Sequence, residues 1–432
     1  MEPPADDRSV GRRAVLAGIA GLSAGAAATT GASAASGLTT TQSTPELTVL
    51  TRNVYLGVDL FRLFDARSLD DVRRIAGELL DEVDPGLVRA RADAIAAEIE
   101  AAGADAVALQ EAATLRVQRP SDFGTDSSEP AETVVVDLLA AVQSALSERG
   151  LAYEVAASTV TTDVELPADT DDGTADVRLT DRDAVLVRSD LDATATASGT
   201  FEAAFSVPAL IPGLGGLAVR RGFCAADVTV AGETVTVVST HLSSVSSSLR
   251  GQQAAELLAQ LPTDRPVIVG GDFNSGPGSD TAAYERLTAE LTDAYAARHP
   301  DRDGFTCCQA AGLRNAESRL DSRIDGLLVR GDVSATAASR VGHRASDRIA
   351  YRAEGETIRV WPSDHAGVVG TFALAASASV GTATATETAR RAGTTARNGS
   401  APDATAGTGP GLGVLAALAG VAGGIAGRLW RA

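Results

Sequence analysis

The sequence predicts a layered α/β domain, because apolar segments of strand length alternate with amphipathic segments of helix length between about residues 45 and 375. Hydrophobic residues make up 44% of the 432-residue chain and aromatic residues only 4%, so we expect a core of Val, Leu, Ile and Ala. A segment of this length can bury a large apolar core. The pattern therefore predicts one globular domain in which helices cover β-sheets.

The predicted elements follow one another along this domain without an internal repeat. Short apolar runs predict strands, and longer segments with helical periodicity predict helices. The predicted strands are 47–50, 106–109, 184–187, 225–230, 235–239, 267–269, 324–329 and 367–372. The predicted helices are 69–80, 88–101, 134–147, 249–260 and 282–291.

Both ends of the chain differ in composition from the domain at 45–375. Residues 1–34 place Arg12-Arg13 before an Ala/Gly-rich apolar run, which resembles a twin-arginine export signal. Residues 376–408 are rich in Ala, Thr, Ser and Gly and predict a disordered stalk. Residues 409–432 contain an uncharged apolar run closed by arginines, which predicts a hydrophobic anchor or a sorting signal. We therefore expect an exported protein that is held at the cell surface by its C-terminal segment.

The charge balance is acidic, with a formal net charge of -19 and no lysine. Such a surface suits a protein that lives in concentrated salt, where repulsion between carboxylates is screened. A codon bias towards arginine is the alternative explanation. No basic stripe indicates non-specific binding to nucleic acid, but counterion release contributes little at high salt, so the charge does not exclude a nuclease.

Three cysteines, Cys224, Cys307 and Cys308, are too few for a disulfide framework and lack metal-ligand spacing. One bridge from Cys224 to either of the other two is compatible with the sequence. Small buried apolar side chains are an equally good interpretation.

Polar side chains stand where the predicted apolar strands begin or end. In the clearest case, the strand at 267–269 is followed by two glycines and then by Asp272 and Asn274, which an extended backbone projects to the same side. Alone, this pattern could be an ordinary Asx turn. However, other strand boundaries carry Asn53, Glu111, His241, Asp325, Asp364 and His365. Loops held by a rigid sheet often present functional groups, so the set predicts a site.

The motifs Leu-Gln-Glu, Thr-His-Leu, Gly-Asp-Phe-Asn, Arg-Ile-Asp and Ser-Asp-His, in this order, resemble those of the endonuclease/exonuclease/phosphatase superfamily. The resemblance covers about residues 45–375. It implies a four-layer α/β sandwich in which two packed mixed β-sheets are flanked by helices. It also implies an enzyme that hydrolyses phosphate esters with the help of a divalent cation.

The resemblance assigns roles to individual residues. Glu111 matches the main metal-binding carboxylate, with Asn53 and Asp364 beside it, and oxygen ligands of this kind favour Mg²⁺ or Mn²⁺. Asp272 matches the acid that prepares the attacking water, and Asn274 the amide that supports the phosphorus. His365 matches the histidine that contacts phosphoryl oxygens or acts as acid/base, and Asp325 matches the carboxylate that fixes its tautomer. Asp181 matches the acid that pairs with the second histidine, His241, and Arg221 matches an arginine that binds phosphate.

The expected substrate is a phosphate ester of nucleic acid or of a lipid head group, and we expect a monomer. The apolar segment 207–217 is compatible with contact to a lipid surface, or with packing on its own domain as a hairpin. His299 and His343 lie in polar sequence and are expected at the surface. A non-catalytic surface module is the competing class, and it predicts eroded motifs, which this chain does not have.

Overall fold

The computed structural model describes residues 44–206, 217–278, 280–353 and 355–375. The predicted signal (1–34), stalk (376–408) and anchor (409–432) lie outside the described residues, as does almost all of the apolar segment 207–217. None of the helices in the described ranges has both the length and the apolar character needed to cross a bilayer.

Eighteen strands lie in the described part of the chain. In chain order they are β1 (Glu46–Asn53), β2 (Ala106–Gln110), β3 (Thr114–Gln118), β4 (Thr133–Asp137), β5 (Tyr153–Thr170), β6 (Gly173–Arg188), β7 (Asp192–Thr200), β8 (Phe205–Ser206), β9 (Ala218–Val219), β10 (Gly222–Val230), β11 (Glu233–His241), β12 (Val267–Asp272), β13 (Thr292–Asp293), β14 (Asp325–Arg330), β15 (Val333–Val341), β16 (Ile349–Ala353), β17 (Glu356–Val360) and β18 (Gly367–Leu374).

Six α-helices and two short 3-10 segments connect these strands. The helices are α1 (Leu69–Glu82), α2 (Pro85–Ala102), α3 (Leu138–Glu148), α4 (Ser247–Gln260), α5 (Ala282–Thr288) and α6 (Ala294–Arg298), and the 3-10 segments are Leu60–Asp65 and Ala345–Asp347. Most helices begin at a capping side chain, as at Ser68, Asp84, Asp137 and Ser246, whose oxygens accept from free backbone N–H groups of the first turn.

Two large mixed sheets form the frame. The first has the order β15-β18-β1-β2-β6-β3-β4, and β5 also pairs with β6. The second has the order β13-β14-β12-β11-β10-β7. In each sheet one central pair is parallel, β1 with β2 and β11 with β12, and the other pairs are antiparallel. The pairs β8-β9 and β16-β17 form two small additional sheets.

The two sheets pack face to face, and helices cover their outer faces. Val49 and Val185 of the first sheet share one buried cluster with Val237 and Ile268 of the second. Leu50, the neighbour of Val49, points the other way and packs with the helices α1, α2 and α3 in a separate cluster. Helices α4 and α5 cover the opposite face of the second sheet. The predicted four-layer α/β sandwich is therefore confirmed.

Several local predictions differ from the structure. The segment predicted as a helix at 134–147 begins as strand β4, which pairs with β3, and becomes helix α3 only after Asp137. Its three consecutive valines favour a strand because branched side chains pack well on a pleated surface. Helix α5 ends at Thr288, three residues before the predicted end. Strand β7 was not predicted, because nearly all of its side chains are exposed and it lacks an apolar pattern.

Candidate active site

One edge of the sandwich gathers the polar residues that follow the central strands. The parallel strands β1 and β2 end side by side, with Asn53 opposite Gln110, and Glu111 follows directly. In the second sheet His241 and Asp272 are neighbours at the ends of β11 and β12, and Asp325 lies opposite Asp272 at the start of β14. The face-to-face packing of the sheets brings the two sets together.

Two glycines before Asp272 allow the strands to approach closely at this edge. A Cβ atom on Gly270 would lie 2.8 Å from the Cβ atom of Ala108 in the other sheet. A Cβ atom on Gly271 would lie 2.5 Å from the carbonyl oxygen of Thr240 in the neighbouring strand. Real Cβ atoms do not come so close, so the Gly-Gly pair is required where Asp272 enters the site.

Asn53 connects the two principal carboxylates. Its Nδ2 lies 3.0 Å from Oε1 of Glu111 and 3.1 Å from Oδ2 of Asp272. Its Oδ1 accepts a hydrogen bond from the backbone N–H of Tyr55 at 3.0 Å, which fixes the amide orientation. Asn53 therefore directs a hydrogen-bond donor towards both carboxylates, and its role as an oxygen ligand stays a prediction.

His365 and Asp325 form a buried pair next to Asp272. Nδ1 of His365 lies 2.8 Å from Oδ2 of Asp325, and Nε2 lies 3.8 Å from Oδ2 of Asp272. Burial alone would lower the pKa of His365, but the carboxylates of Asp325, Asp364 and Asp272 outweigh it and hold that pKa well above its usual value. These carboxylates therefore favour the charged form of the imidazole, whose Nε2 faces Asp272.

A second histidine lies on the other side of Asp272. Nε2 of His241 is 3.4 Å from Oδ2 of Asp272, and Nδ1 is 3.0 Å from Nη1 of Arg221. Because a guanidinium can only donate, Nδ1 is the acceptor and the proton of His241 is placed on Nε2. Burial, with Arg221 next in importance, lowers the pKa of His241 well below its usual value. His241 is therefore a neutral imidazole.

Asp181 reaches His241 through Arg221. The same Nη1 atom of Arg221 that faces His241 also lies 3.1 Å from Oδ2 of Asp181. Thr161 donates to that Asp181 oxygen from 3.0 Å. The sequence suggested a direct pair between Asp181 and His241, whereas the structure places the guanidinium between them. Asp181 thus fixes the guanidinium of Arg221 in contact with His241.

Asn274 closes the site beside His241. Its backbone N–H donates to Oδ1 of Asp272 at 2.9 Å, so the Asx turn that the sequence allowed is present. Its Nδ2 donates to the carbonyl of Leu242 at 2.9 Å and lies 3.1 Å from Nε2 of His241. Asn274 and Glu111 both have left-handed backbones, with φ of 48° and 55°. Residues other than glycine adopt this conformation rarely and often at functional sites.

The site contains more carboxylates than its cationic groups can neutralise. Burial, followed by the charges of Asp364 and Asp181, raises the pKa of Glu111 to about 7. Burial and the charge of Asp325 raise the pKa of Asp272 to about 6. Glu111 and Asp364 remain partly accessible to solvent. Crowded oxygen donors with raised pKa values fit a hard divalent cation, which would relieve their repulsion.

Two groups of ligands could hold that cation. Single ligand atoms of Asp272, Asp325 and His365 lie within 4.8 Å of one another, but the Asp325–His365 hydrogen bond already joins two of them. Glu111 accepts only from Asn53 among the hydrogen bonds of the site, and it interacts electrostatically with Asp364. The oxygens of Glu111 and Asp364 are therefore the freer pair for a hard cation.

Two buried arginines that sequence reasoning missed hold the loops of the site. Arg91 in α2 donates to the carbonyls of Val54, Tyr55 and Pro362 at 2.5, 2.6 and 2.9 Å. Arg52 in β1 donates to the carbonyl of His365. A signal for Arg91 exists, because it lies three residues after Val88 on the apolar face of its helix, where a charged residue is rare without buried acceptors.

Asp183 is a third residue that sequence reasoning did not select. Its side chain is fully buried on β6, and neither carboxylate oxygen has a hydrogen-bond partner. Burial, followed by the charge of Asp181, raises the pKa of Asp183 well above its usual value. Burial therefore favours the neutral form of this carboxyl group, which lies between the sheets behind the site.

The structure also places the three cysteines and the two remaining histidines, His299 and His343. Cys307 and Cys308 form a disulfide with each other, and Cys224 is free and buried, so a bridge from Cys224 is wrong and the buried apolar interpretation applies to that residue alone. His299 packs on the ring of Tyr295 at a centroid distance of 4.8 Å and is only partly exposed. His343 is also only partly exposed.

A family model matches most of the chain, and several solved structures resemble it. Residues 72–365 match the sequence model of the "Endonuclease/Exonuclease/phosphatase family". An endonuclease/exonuclease/phosphatase family protein from Bacteroides thetaiotaomicron is 16% identical, with 76% of this chain and 98% of that chain covered and a TM-score of 0.46. A mannosyl-6-phosphatase from the same organism is 17% identical, with 76% and 99% covered and a TM-score of 0.44. TDP2 from D. rerio, complexed with a single-strand DNA product, is 17% identical, with 76% and 98% covered and a TM-score of 0.40. No match was found among curated protein sequences.

Proposed function

Because the chain belongs to the endonuclease/exonuclease/phosphatase family and is a hydrolase of phosphoester bonds, we propose that it is an exported, Mg²⁺-dependent phosphodiesterase whose substrate is nucleic acid. One observation carries the assignment of the site. Asn53 touches both Glu111 and Asp272, and Asp272 in turn lies beside His365, so groups from four separated parts of the chain converge. A surface module without catalysis does not require this convergence.

Glu111 and Asp364 would hold a divalent cation, which would supply positive charge near a phosphate oxygen and near the leaving oxygen. Mg²⁺ suits these ligands because both are hard carboxylate oxygens, and Mn²⁺ is the closest substitute. Asn53 orients Glu111 by donating to its Oε1. The chain's own residues perform the proton transfers.

Asp272 acts as the general base that takes a proton from the attacking water. Its pKa of about 6 leaves it ionised at neutral pH but still basic enough to accept a proton. Its Oδ1 accepts from the backbone of Asn274, so Oδ2 is the oxygen that faces Asn53 and both histidines. Water held against Oδ2 would be aligned for in-line attack on phosphorus.

Three donors stabilise the negative charge on the phosphoryl oxygens. His365, held by Asp325, donates from Nε2 on one side of Asp272. Arg221 and Asn274 surround neutral His241 on the other side. Donors that are fixed before the reaction cost no reorganisation in the transition state. The Arg221–His241 pair supports diester hydrolysis, because it places a second polar group opposite His365.

A lipid head-group phosphodiester is a second candidate, and a cluster of exposed aromatic side chains favours it. Phe61 and Phe64 are 56% and 45% exposed, and Phe64 contacts Phe205 with ring centroids 5.7 Å apart. The 3-10 segment with the first two rings follows β1 and Asn53. Exposed rings of this kind can enter a lipid surface, and a comparison of substrates decides between the two candidates.

The test is a comparison of substrates in molar salt. With Mg²⁺, the enzyme should hydrolyse bis(4-nitrophenyl) phosphate, stop when EDTA is added, and recover when excess Mg²⁺ is supplied. Single-stranded DNA, phospholipid vesicles and an inositol phosphate are then compared at equal enzyme concentration, with Asp272→Ala as the inactive control. Faster cleavage of DNA supports the proposal, and faster cleavage of vesicles supports the second candidate. Absence of Mg²⁺-dependent hydrolysis of every substrate would overturn both.

Export and surface anchoring are part of the proposal and rest on the sequence of the two ends. Changing Arg12 and Arg13 to Lys should keep the protein inside the cell, because the twin-arginine pathway reads this pair. Removal of residues 409–432 should release it from the cell surface into the medium. Light scattering of the released form should report a monomer.

A further inference from the structure

A disulfide between two neighbouring residues, Cys307 and Cys308, lies beside the candidate active site. Both sulfurs and a ring nitrogen of His365 lie within 4.8 Å of one another. Cys307 is buried, whereas Cys308 is exposed. A small dithiol can therefore approach the disulfide from solvent, at a place next to a proposed catalytic residue.

The backbone on both sides of the disulfide holds the loop that contains His365. The carbonyl of Thr306, just before the pair, accepts from the backbone N–H of Ala366 at 2.7 Å. The backbone N–H of Gln309, just after the pair, donates to the carbonyl of Asp364 at 2.7 Å. The two hydrogen bonds thus lie on either side of His365 in one segment and of the disulfide in the other.

The same segment also holds the partner of His365. The side-chain oxygen of Thr306 accepts from the backbone N–H of Asp325 at 3.1 Å. The backbone N–H of Cys307 donates to the carbonyl of Ser322 at 2.9 Å. Residues 306–309 therefore fix Asp325 and His365 relative to each other from one side.

We propose that the Cys307–Cys308 disulfide is a reversible modification site that positions His365 and Asp364 for hydrolysis. A bond between adjacent side chains closes a small ring, which restricts the backbone that separates Thr306 from Gln309. With the ring closed, the two flanking hydrogen bonds hold the His365 loop in place. With the ring open, the segment regains freedom, the imidazole moves relative to Asp272, and turnover falls.

Reduction needs a dithiol as the electron donor. The dithiol transfers two electrons and two protons, the bond between the sulfurs of Cys307 and Cys308 breaks, two thiols form, and the dithiol becomes a cyclic disulfide. Reoxidation by a disulfide of low molecular weight reverses the exchange. The oxidised form is expected outside the cell, where disulfides persist.

The first measurement counts thiols and does not depend on activity. Full-length enzyme purified without reductant is denatured and alkylated, and the product is analysed by mass spectrometry. The proposal predicts one modified cysteine, Cys224, before reduction and three after it. Three modified cysteines before reduction would show that the disulfide is absent and would overturn the proposal.

The second measurement is turnover of bis(4-nitrophenyl) phosphate in excess Mg²⁺, and its interpretation rests on the proposed function. Dithiothreitol should lower kcat about tenfold or more with little change in KM, and reoxidation should restore it, because displacement of a catalytic group by about 1 Å can slow a reaction a hundredfold. Mg²⁺ is a hard cation and should not be removed by the thiols.

Matched variants separate the disulfide from other effects of the reductant. A Cys307→Ser/Cys308→Ser enzyme should have the low kcat with or without dithiothreitol, whereas Cys224→Ala should respond as the wild type does. Melting curves in both redox states show whether the fold is retained, and if the double variant does not fold, the wild type in its two states decides. Equal kcat in both states of active enzyme would overturn the inference, whereas no activity in either state would overturn the proposed function.

Discussion

The hydrogen bond between Asp325 and His365 joins two buried side chains, and Asp325→Asn tests its role in catalysis. The substitution keeps the size of the side chain but removes the charge 2.8 Å from Nδ1 of His365. That charge is one of three that hold the pKa of His365 well above its usual value against the effect of burial. With Asn at this position, the pKa of His365 should fall, and the ring should lose both its proton and its fixed orientation.

The expected magnitude follows from what the substitution removes. A positioned acid/base or charged donor usually contributes a factor of about a hundred or more, so kcat should fall at least about a hundredfold, or about 2.7 kcal/mol in activation free energy. Stability should change less. Asp325 is also the second cause of the raised pKa of Asp272, so loss of one charge relieves repulsion while it weakens one hydrogen bond. The free energy of unfolding should therefore change by about 1 kcal/mol or less.

The assay is turnover of bis(4-nitrophenyl) phosphate at saturating Mg²⁺, with urea unfolding of the same samples. Asp227→Asn is the matched control, because Asp227 pairs with Arg265 and Thr236 in the same sheet but several residues from the end of β10 that adjoins His241. The control should retain wild-type kcat. An Asp325→Asn enzyme with wild-type kcat would refute the role of the pair. A fall in kcat that matches the fraction of protein unfolded in the same samples would assign the effect to stability.

Three further predictions follow from the buried charges. Because the pKa of Glu111 is raised to about 7, protons should compete with Mg²⁺ for this carboxylate. The apparent Kd for Mg²⁺, measured by calorimetry, should increase as the pH falls below 7 and should approach a change of about tenfold per pH unit. A constant Kd from pH 5 to 8 would contradict the assignment of Glu111 as a ligand. Arg91→Met leaves three loop carbonyls without their donor and should lower the free energy of unfolding by about 3–5 kcal/mol in urea titrations. A change below about 1 kcal/mol would show that the loops are stable without these hydrogen bonds. The pKa of Asp183 is higher in the folded than in the unfolded protein, so the folded state keeps a proton that the unfolded state releases, and stability should fall as the pH rises above about 4 towards the folded pKa. Asp183→Asn in EDTA should remove this part of the decline and stabilise the protein at pH 8 by about 1 kcal/mol or more, and an unchanged pH profile would contradict it.

The sequence alone predicted the layered fold and the strand ends that carry Asn53, Glu111 and Asp272. These features are local, because an apolar run of strand length and the polar residue after it are close together in the chain. The Gly-Gly pair before Asp272 is a local signal of the same kind. The order of the strands in the sheets came only from the structure, since periodicity gives no pairing partners.

What only the tertiary structure decided are the partners of these groups. The amide nitrogen of Asn53 faces the carboxylates because its oxygen accepts a hydrogen bond from the backbone N–H of Tyr55. Arg221 lies between Asp181 and His241. Neither arrangement has a pattern in sequence spacing. Strand β7 was likewise hidden, because its exposed side chains obey no burial pattern.

The ionisable groups also show what the sequence determines and what depends on tertiary packing. The sequence determines which groups can ionise, but their pKa values depend on burial and on neighbours that are distant in the chain, as at Asp183. The sequence shows Cys307 and Cys308 as neighbours but did not predict the bond between them. The position of this bond beside His365 depends on how residues 306–309 pack against the segment before β18. Local patterns thus fixed the elements and the chemical groups, and tertiary packing fixed their distances, their protonation and their partners.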